Sequence, residues 1–320
     1  MALAQYKKVT LLFHASAGSG AGGKHLPQVV ERVRTLFFHA ELEMVETQSK
    51  EHIVNLGQTS TADLILCLTG DGSVHDLAQN LVGRPRGERP VVALLPAGSG
   101  NDYARTLGIP LDPLKALAVL GDCVPTLVDV GCVNQIYFLE TLSFGVDAAV
   151  ALNTEELRRK TGSRGLRLYA RAAVSAIIHE LNPHKVRAQV EGRELTLNPL
   201  ILAIQNGRTY GSGFMVAPNA SVTDGKLDGY YCSDISKLTA LYYLFRMKNG
   251  RHENLKHFSH FSTDTLELEL EEQVPIQCDG ERLLGRKFSI SVVPKALEVL
   301  ALPTAPACKK KEKPEFLGVR

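Results

Sequence analysis

The sequence lacks any excess of charge. Its 36 Lys and Arg stand against 34 Asp and Glu, a formal net charge of +2 over 320 residues, so bulk electrostatics offers no case for a nucleic-acid partner. It also lacks a C-x-x-C pair. Cys67, Cys123, Cys132, Cys232, Cys278 and Cys308 are scattered, several of them inside apolar runs, which points to reduced core thiols and a cytosolic protein. No run approaches the ~18–20 apolar residues that span a bilayer. No signal peptide is expected, because Lys7-Lys8 precede only the short run Val9–Phe13. Any membrane contact is therefore expected to be peripheral.

What remains is an ordinary globular composition, 44% apolar and 22% charged, at a length that suggests two domains or one large one. The first ~125 residues alternate strand and helix patterns. Strands are expected at Lys7–Phe13, Leu42–Glu46, Asp63–Leu68 and Pro90–Leu95, and helices at Leu26–Phe38, Lys50–Gln58, Val74–Leu81, Asp102–Leu107 and Leu114–Leu120. That order predicts a parallel sheet with helices on both faces, whose ligands bind outside the carboxyl ends of the strands. After Pro125 short β-type runs dominate: Thr126–Val133, Gln135–Leu142, Lys185–Val190, Leu200–Gln205, Leu227–Cys232, Thr265–Leu270, Val274–Cys278 and Phe288–Val293. They predict an antiparallel sandwich or barrel. One helix interrupts them, with an apolar stripe of Leu166, Tyr169, Ala170, Ala173, Val174, Ile177 and Ile178. The run Lys309–Lys313 reads as a solvated end, with contact to an anionic lipid surface as the alternative.

Two glycine-rich loops each follow an apolar strand: Thr69-Gly70-Asp71-Gly72-Ser73 and Ala97-Gly98-Ser99-Gly100-Asn101-Asp102. Each combines small residues, a hydroxyl and an acid, and each leads into a helical pattern. Such loops can turn backbone N–H groups and a helix N-terminus toward phosphate. Asp71 could hold magnesium, accept a proton or simply cap the next helix. Ser73 and Ser99 could bond phosphate oxygens, Asn101 could cap a helix, and Asp102 could accept from a sugar or an amine, with Arg105 one turn on. A third segment, Gly18–His25, matches both G-x-G-x-x-G and the start of a P-loop. His25, however, stands where a P-loop needs Ser or Thr, so the expectation there is only a phosphate-facing flexible loop. His252, His257 and His260 lack a companion cluster for metal, and Gly211-Ser212-Gly213 lacks the spacing of a nucleophile elbow.

The segment Leu95–Arg105 resembles the L-P-x-G-[TS]-G-N-D-[FY]-A-R signature of diacylglycerol-kinase-type lipid kinases, and Thr69–Ser73 resembles their G-G-D-G-T loop. Further matches follow in order: His14–Gly18, Phe144–Ala148, Ala217-Pro218 with Asp224–Asp228, and Asp279-Gly280-Glu281. The resemblance implies an NAD-kinase-like α/β N-terminal domain over 1–128, rejoined by the segment 301–320, and a mainly antiparallel β-sandwich lipid domain over 129–300. It implies ATP in the cleft between the two domains, on Thr47, Gly70, Asp71, Gly72, Ser73, Ser99, Asn101 and Asp102. It implies structural Mg2+ on Asp224 with carbonyls near Ser221 and Lys226, and Glu281 or Asp71 as general base.

The expected activity is transfer of the γ-phosphate of ATP to a lipid hydroxyl, diacylglycerol first among acceptors, by a cytosolic enzyme peripheral to the membrane. Thr69, Ser73 and Ser99 depart from the family pattern while keeping a hydroxyl or a small turn. His14-Ala15 replaces Asn-Pro, and Asp76 stands where Glu is usual. The Pro96–Gly100 loop also looks like that of sphingosine kinases, which leaves the acceptor open. NAD kinase and an inactive nucleotide-binding regulator are the alternatives. An exposed sandwich edge could pair two copies into a homodimer. Asp279 and Glu281 would share one side of the chain if the segment stayed extended; the alternative is an Asp-Gly hairpin turn.

Overall fold

The structure, a computed structural model, describes residues 2–14, 17–161, 166–179, 181–190, 192–233 and 235–308. The Lys-rich run 309–313 and Ala15-Ser16 of the first motif lie outside the described residues. Two compact units emerge, one from the chain up to Val128 together with the return from Pro294 onward, the other from Asp129–Val293.

The first unit alternates as β1 (Lys8–Phe13), α1 (Ala17–Leu36), β2 (Glu41–Glu46), α2 (Lys50–Thr59), β3 (Leu64–Leu68), α3 (Asp71–Leu81), β4 (Val91–Leu94), α4 (Asp102–Thr106), α5 (Pro113–Val119) and the start of β5 (Val124–Val133). The strands lie side by side as β2-β1-β3-β4, all parallel. β3, Leu64-Ile65-Leu66-Cys67-Leu68, is buried at every position, the continuous apolar run expected of a strand covered on both faces. Helix ends obey local chemistry. Ser49 accepts from His52 N to start α2, and Asp112 accepts from Leu114 N and Lys115 N ahead of Pro113 to start α5.

The second unit continues with β6 (Ile136–Phe138), β7 (Thr141–Gly145), α6 (Val146–Thr161), α7 (Leu166–His179), β8 (Val186–Val190), β9 (Arg193–Leu197), β10 (Ile201–Gln205), β11 (Leu227–Cys232), α8 (Lys237–Met247), β12 (Phe258–Thr263), β13 (Thr265–Leu270), β14 (Ile276–Cys278), β15 (Glu281–Arg282) and β16 (Lys287–Ala301). One antiparallel sheet runs β12-β11-β10-β7-β14-β15. Facing it, β16, β13, β8 and β9 pair antiparallel. Leu142, Phe144, Leu202, Ile204 and Ile276 from the first sheet meet Val186, Leu266, Leu268, Phe288 and Ile290 from the second in one core. Phe144 and Phe288 close it edge to face at 5.4 Å. The expected class, an α/β unit followed by an antiparallel sandwich, is the observed one.

The long strand β16 takes part in both units: its first half pairs with β13, and Val299 pairs in parallel with Val92 of β4. Among the described residues no helix is long and apolar enough to cross a membrane.

Three sequence expectations need correction. The glycine run 18–23 belongs to α1 and is not a loop; glycine lowers helix propensity by about 1 kcal/mol per residue but does not forbid helical backbone angles. Among the described residues three helices, α6, α7 and α8, rather than one interrupt the sandwich strands. α6 follows directly on β7, so no cluster of turn residues marks the switch. The α7 stripe is also wider than its buried face: Leu168, Tyr169, Ala172, Ala173, Ala176 and Ile177 are buried, while Val174 and Ile178 are exposed.

Candidate active site

The carboxyl ends of β1, β2, β3 and β4 place His14, Thr47, the 69–73 loop and the 97–102 loop along one edge of the parallel sheet, where such sheets take their ligands. The two glycine loops touch through their backbones. A Cβ on Gly98 would stand 2.5 Å from Gly70 Cα and 2.8 Å from Asn101 Oδ1; one on Gly70 would stand 3.0 Å from Gly98 Cα. Only two glycines allow this approach. Ala97 N donates to Thr69 O at 2.9 Å, which extends the β3–β4 pairing into the loops.

Asp71 then crosses from one loop to the other. It is the first residue of α3, behind Gly70 at the N-cap, yet its carboxylate serves α4: Oδ2 accepts from Asp102 N at 3.1 Å and Oδ1 from Tyr103 N at 3.3 Å. A carboxylate at a helix start is favourable both as hydrogen-bond acceptor and as counter-charge to the helix dipole. This corrects the expected role of Asn101. Asn101 sits at the N-cap of α4 with φ of 55° and caps nothing with its side chain. Instead it closes the 98–101 turn, with Oδ1 accepting from Gly98 N at 2.9 Å and Nδ2 donating to Gly98 O at 3.1 Å. The backbone donors at the start of α4 are thus engaged by Asp71, and the longer α3 is the helix whose first turn, Asp71-Gly72-Ser73, faces outward. Space is open around Gly72, with no atom within 4 Å of where a Cβ would lie.

The remaining residues of this unit fall as follows. Asp102 is buried, with Arg105 Nε 3.8 Å from its Oδ1. Ser73 and Ser99 are half-buried on their loops. The Thr47 hydroxyl is engaged by His14 Nδ1 at 2.8 Å. Lys50 pairs with the nearly buried Asp76 at 3.2 Å, so the shorter acid at that position still has a cationic partner.

Gly98→Ala is expected to cost about 1–3 kcal/mol of stability, because the added methyl forces two backbones apart. Gly72→Ala, into open space, should stay within about 0.5 kcal/mol of the parent. Denaturant melts of the two variants check this, and equal losses would contradict the loop contact.

In the second unit Asp224 and Glu281 occupy separate turns. The half-buried Asp224 accepts from Lys226 N at 3.1 Å, and Gly225 N donates to Asp129 Oδ2 at 2.7 Å. Ser221 Oγ lies 3.3 Å from Thr223 Oγ1, and Lys226 Nζ lies 3.5 Å from Asp264 Oδ2. The Lys226 amine is therefore directed to an acid, and this residue could offer a cation only its carbonyl. Among the described residues no three His, Cys, Asp or Glu side chains gather as a metal cluster. The three histidines do other work: buried His252 faces Val216 O through Nε2 at 2.9 Å, His260 pairs with Asp228 at 2.9 Å, and the His257 ring lies near Tyr243.

Asp279 and Glu281 do not share an extended segment. Asp279 at φ 47° and Gly280 at φ 92° form the turn of the β14–β15 hairpin, in which Cys278 faces Glu281. Two consecutive positive φ angles are the two-residue hairpin geometry that Asp-Gly favours. Asp279 turns back and accepts from Leu139 N at 2.6 Å, Glu140 N at 3.1 Å and Thr141 N at 2.9 Å. Glu281 is exposed at the start of β15. Asp279 therefore fixes the turn, and Glu281 is the acid it presents.

Sequence reasoning gave no role to two acids. Asp129, within the apolar stretch Val128–Val130, is 1% exposed and holds the 224–226 turn through Gly225 N. Asp147, in the first turn of α6, is buried, and desolvation pushes its carboxyl up to about 7, against a smaller downward pull from the Ser143 hydroxyl. An acid inside an otherwise apolar stretch was the available signal at Asp129, and the Phe144–Ala148 match already contained Asp147.

Each of the two units matches a family model of its own. The diacylglycerol kinase catalytic domain model matches residues 8–133, and the YegS C-terminal NAD kinase beta sandwich-like domain model matches residues 140–301. Over 231 residues the chain is 34% identical to the Pseudomonas aeruginosa (strain UCBPP-PA14) protein named "Probable lipid kinase YegS-like", covering 72% of this chain and 74% of that one. It is 28% identical over 305 residues to a Mycobacterium tuberculosis diacylglycerol kinase, covering 92% and 94%. The crystal structure of a diacylglycerol kinase from Bacillus anthracis str. Sterne superposes with a TM-score of 0.76 at 23% identity, covering 93% of this chain and 98% of that one, a likeness of fold. The chain belongs to the YegS-like, diacylglycerol-kinase-type family of lipid kinases.

Proposed function

We propose that this chain transfers the γ-phosphate of ATP to the hydroxyl of a lipid alcohol, with diacylglycerol as the acceptor and phosphatidic acid as the product. The observation that carries the reading is the lock between the two glycine loops, Gly70 against Gly98 with Asp71 reaching across to α4. It holds two phosphate-binding segments in a fixed relation, and phosphoryl transfer depends mainly on position and charge. In this reading the first turn of α3, with Gly72 and Ser73, and Ser99 on the facing loop take the phosphates. Asp102 and Thr47 hold the nucleoside. The acceptor oxygen bonds to the γ-phosphorus as the bond to the bridging β–γ oxygen breaks, ADP leaves, and the hydroxyl proton passes to Glu281. Asp71, already accepting two backbone N–H groups, serves as the anchor of the site.

In this reading Mg2+ would be held by the Asp224 carboxylate with the carbonyls of Ser221 and Lys226, the oxygen donors that such a hard cation takes. When bound it would be a structural ion, supplying the positive charge that steadies the 221–226 turn. A chelator is accordingly expected to abolish turnover, and added Mg2+ to restore it.

The test is a labelled-ATP transfer assay offering diacylglycerol, monoacylglycerol, sphingosine, ceramide and NAD in separate reactions. Label is expected on diacylglycerol and to be lost in Asp71→Asn. Label on a sphingoid base would reassign the acceptor, label on NAD alone would replace the lipid reading, and ATP binding without transfer to any acceptor would make the chain a nucleotide-binding regulator.

A further inference from the structure

Helix α8 carries more apolar surface than the fold uses. Ser236 accepts from Thr239 N and starts the helix, and Ala240, Tyr243 and Met247 point into the core. On the opposite side Leu238, Tyr242 and Phe245, spaced i, i+4 and i+7, are 80%, 50% and 68% exposed. Scattered single apolar residues need no explanation, but a stripe of three on one helix does. It does not end there. The Lys237 amine donates to the Ile178 carbonyl, which brings the first turn of α8 to the last turn of α7, where Ile178 is also exposed, with Val174 exposed one turn earlier. Two neighbouring helices thus turn Leu, Val, Ile, Tyr and Phe side chains to solvent.

Within the two helices the charges are of one sign. Neither Leu166–His179 nor Lys237–Met247 contains an Asp or Glu, while Arg167, Arg171, Lys237 and Arg246 lie within them and Lys248 and Arg251 follow at once. The acids nearest in sequence are Glu180, Asp234 and Glu253, and Glu253 accepts from Asn219 and from the Tyr230 hydroxyl. Arg246 sits 6.0 Å over the Tyr242 ring, so a cation lies beside the apolar stripe itself. An apolar stripe with aromatic members, on helices that carry Lys and Arg and no acid, is the pattern of a surface that enters the headgroup layer of an anionic bilayer. Tyr favours the depth where one end is wet and the other apolar, and long cationic side chains reach up from it to phosphates.

We propose that the face formed by α8 and the exposed side of α7 docks this protein on an anionic lipid surface, with Leu238, Tyr242 and Phe245 entering the headgroup layer and Lys237, Arg246, Lys248 and Arg251 meeting the lipid phosphates. The inference deepens the lipid-kinase reading by naming the surface that meets the lipid phase. None of these residues belongs to the candidate active site.

The test is flotation of the full chain with vesicles of phosphatidylcholine alone or mixed with phosphatidylglycerol, without ATP or acceptor lipid, so that its outcome is separate from that of the transfer assay. The parent is expected to float with the mixed vesicles, to lose that binding as salt is raised, and to bind phosphatidylcholine alone weakly. Leu238→Ser/Phe245→Ser, at exposed positions where folding should be kept, is expected to weaken binding to mixed vesicles by at least about tenfold. Lys237→Glu/Lys248→Glu is expected to remove the preference for phosphatidylglycerol. In the transfer assay the apolar double variant should lose turnover on vesicle-borne acceptor and keep it on a soluble short-chain acceptor. Parent-like vesicle binding by the apolar double variant would overturn the proposal. So would a parent that floats with neither vesicle. Conversion of a dimer to a monomer by that variant, with vesicle binding unchanged, would assign the face to a second copy of the chain instead.

Discussion

Exchanging Glu281 for Gln is expected to lower kcat by about 100- to 10,000-fold, the usual contribution of a positioned general base, and to leave the melting temperature unchanged, because the side chain is exposed. Asp279→Ala, two residues upstream, should behave in the opposite way. Its carboxylate accepts from three consecutive backbone N–H groups, those of Leu139, Glu140 and Thr141, on residues that are all buried. Removing it strands three donors, each costing about 1–3 kcal/mol, so a loss of at least about 3 kcal/mol is expected. Steady-state turnover with saturating ATP and thermal melting of both variants separate the two roles. Turnover in Glu281→Gln within a few fold of the parent would remove Glu281 as the base.

That pair also shows where sequence stops being legible. The motif Asp-Gly-Glu marks the place, but which acid is presented depends on whether the chain runs extended or turns. The hairpin is settled by β14 pairing with β7, a contact between residues more than 130 positions apart. The parallel unit was readable because its strands are apolar throughout and its loops carry glycine at the strand ends, both local signals. Helix α6 was not, since it follows β7 without a break. Asp71 is the sharpest case. Its place in a phosphate-type loop is evident from the sequence, whereas its bonds to Asp102 N and Tyr103 N require two loops from different strands to meet. Asn101, in turn, looked like a cap because Asn often is one, and here the capping position was already served from across the loop.

The second large effect concerns stability against pH. Asp147 is buried at the start of α6, and desolvation raises its carboxyl from 3.8 to about 7. Below pH 4 the group is protonated in folded and unfolded chains alike and contributes no penalty. Between about pH 4 and 7 the unfolded chain gives up its proton first, so this group lowers folding stability as pH rises, and above 7 its penalty is constant. A displacement of that size corresponds to about 4 kcal/mol at most. Asp147→Asn removes the titration. The variant is expected to gain on the parent steadily from pH 4 to pH 7 and to keep its advantage at pH 8. Denaturant midpoints of both proteins across that range isolate the group, because other carboxylates cancel in the difference. Parallel curves would show that the carboxyl ionises in the folded chain as it does in the unfolded one.

The course of β16 has a consequence during synthesis. The strand that pairs with β4 of the first unit is reached only at Val299, opposite Val92. At about 5–20 residues per second a ribosome needs roughly 10–40 s to deliver the intervening chain. For that interval the nascent first unit can assemble β2, β1, β3 and β4, but the outer side of β4 has no partner, and an open strand edge invites pairing with other chains. Completion of the parallel sheet must wait for the arrival of the last strand, so a nascent-chain chaperone that shields β4 would act in that window.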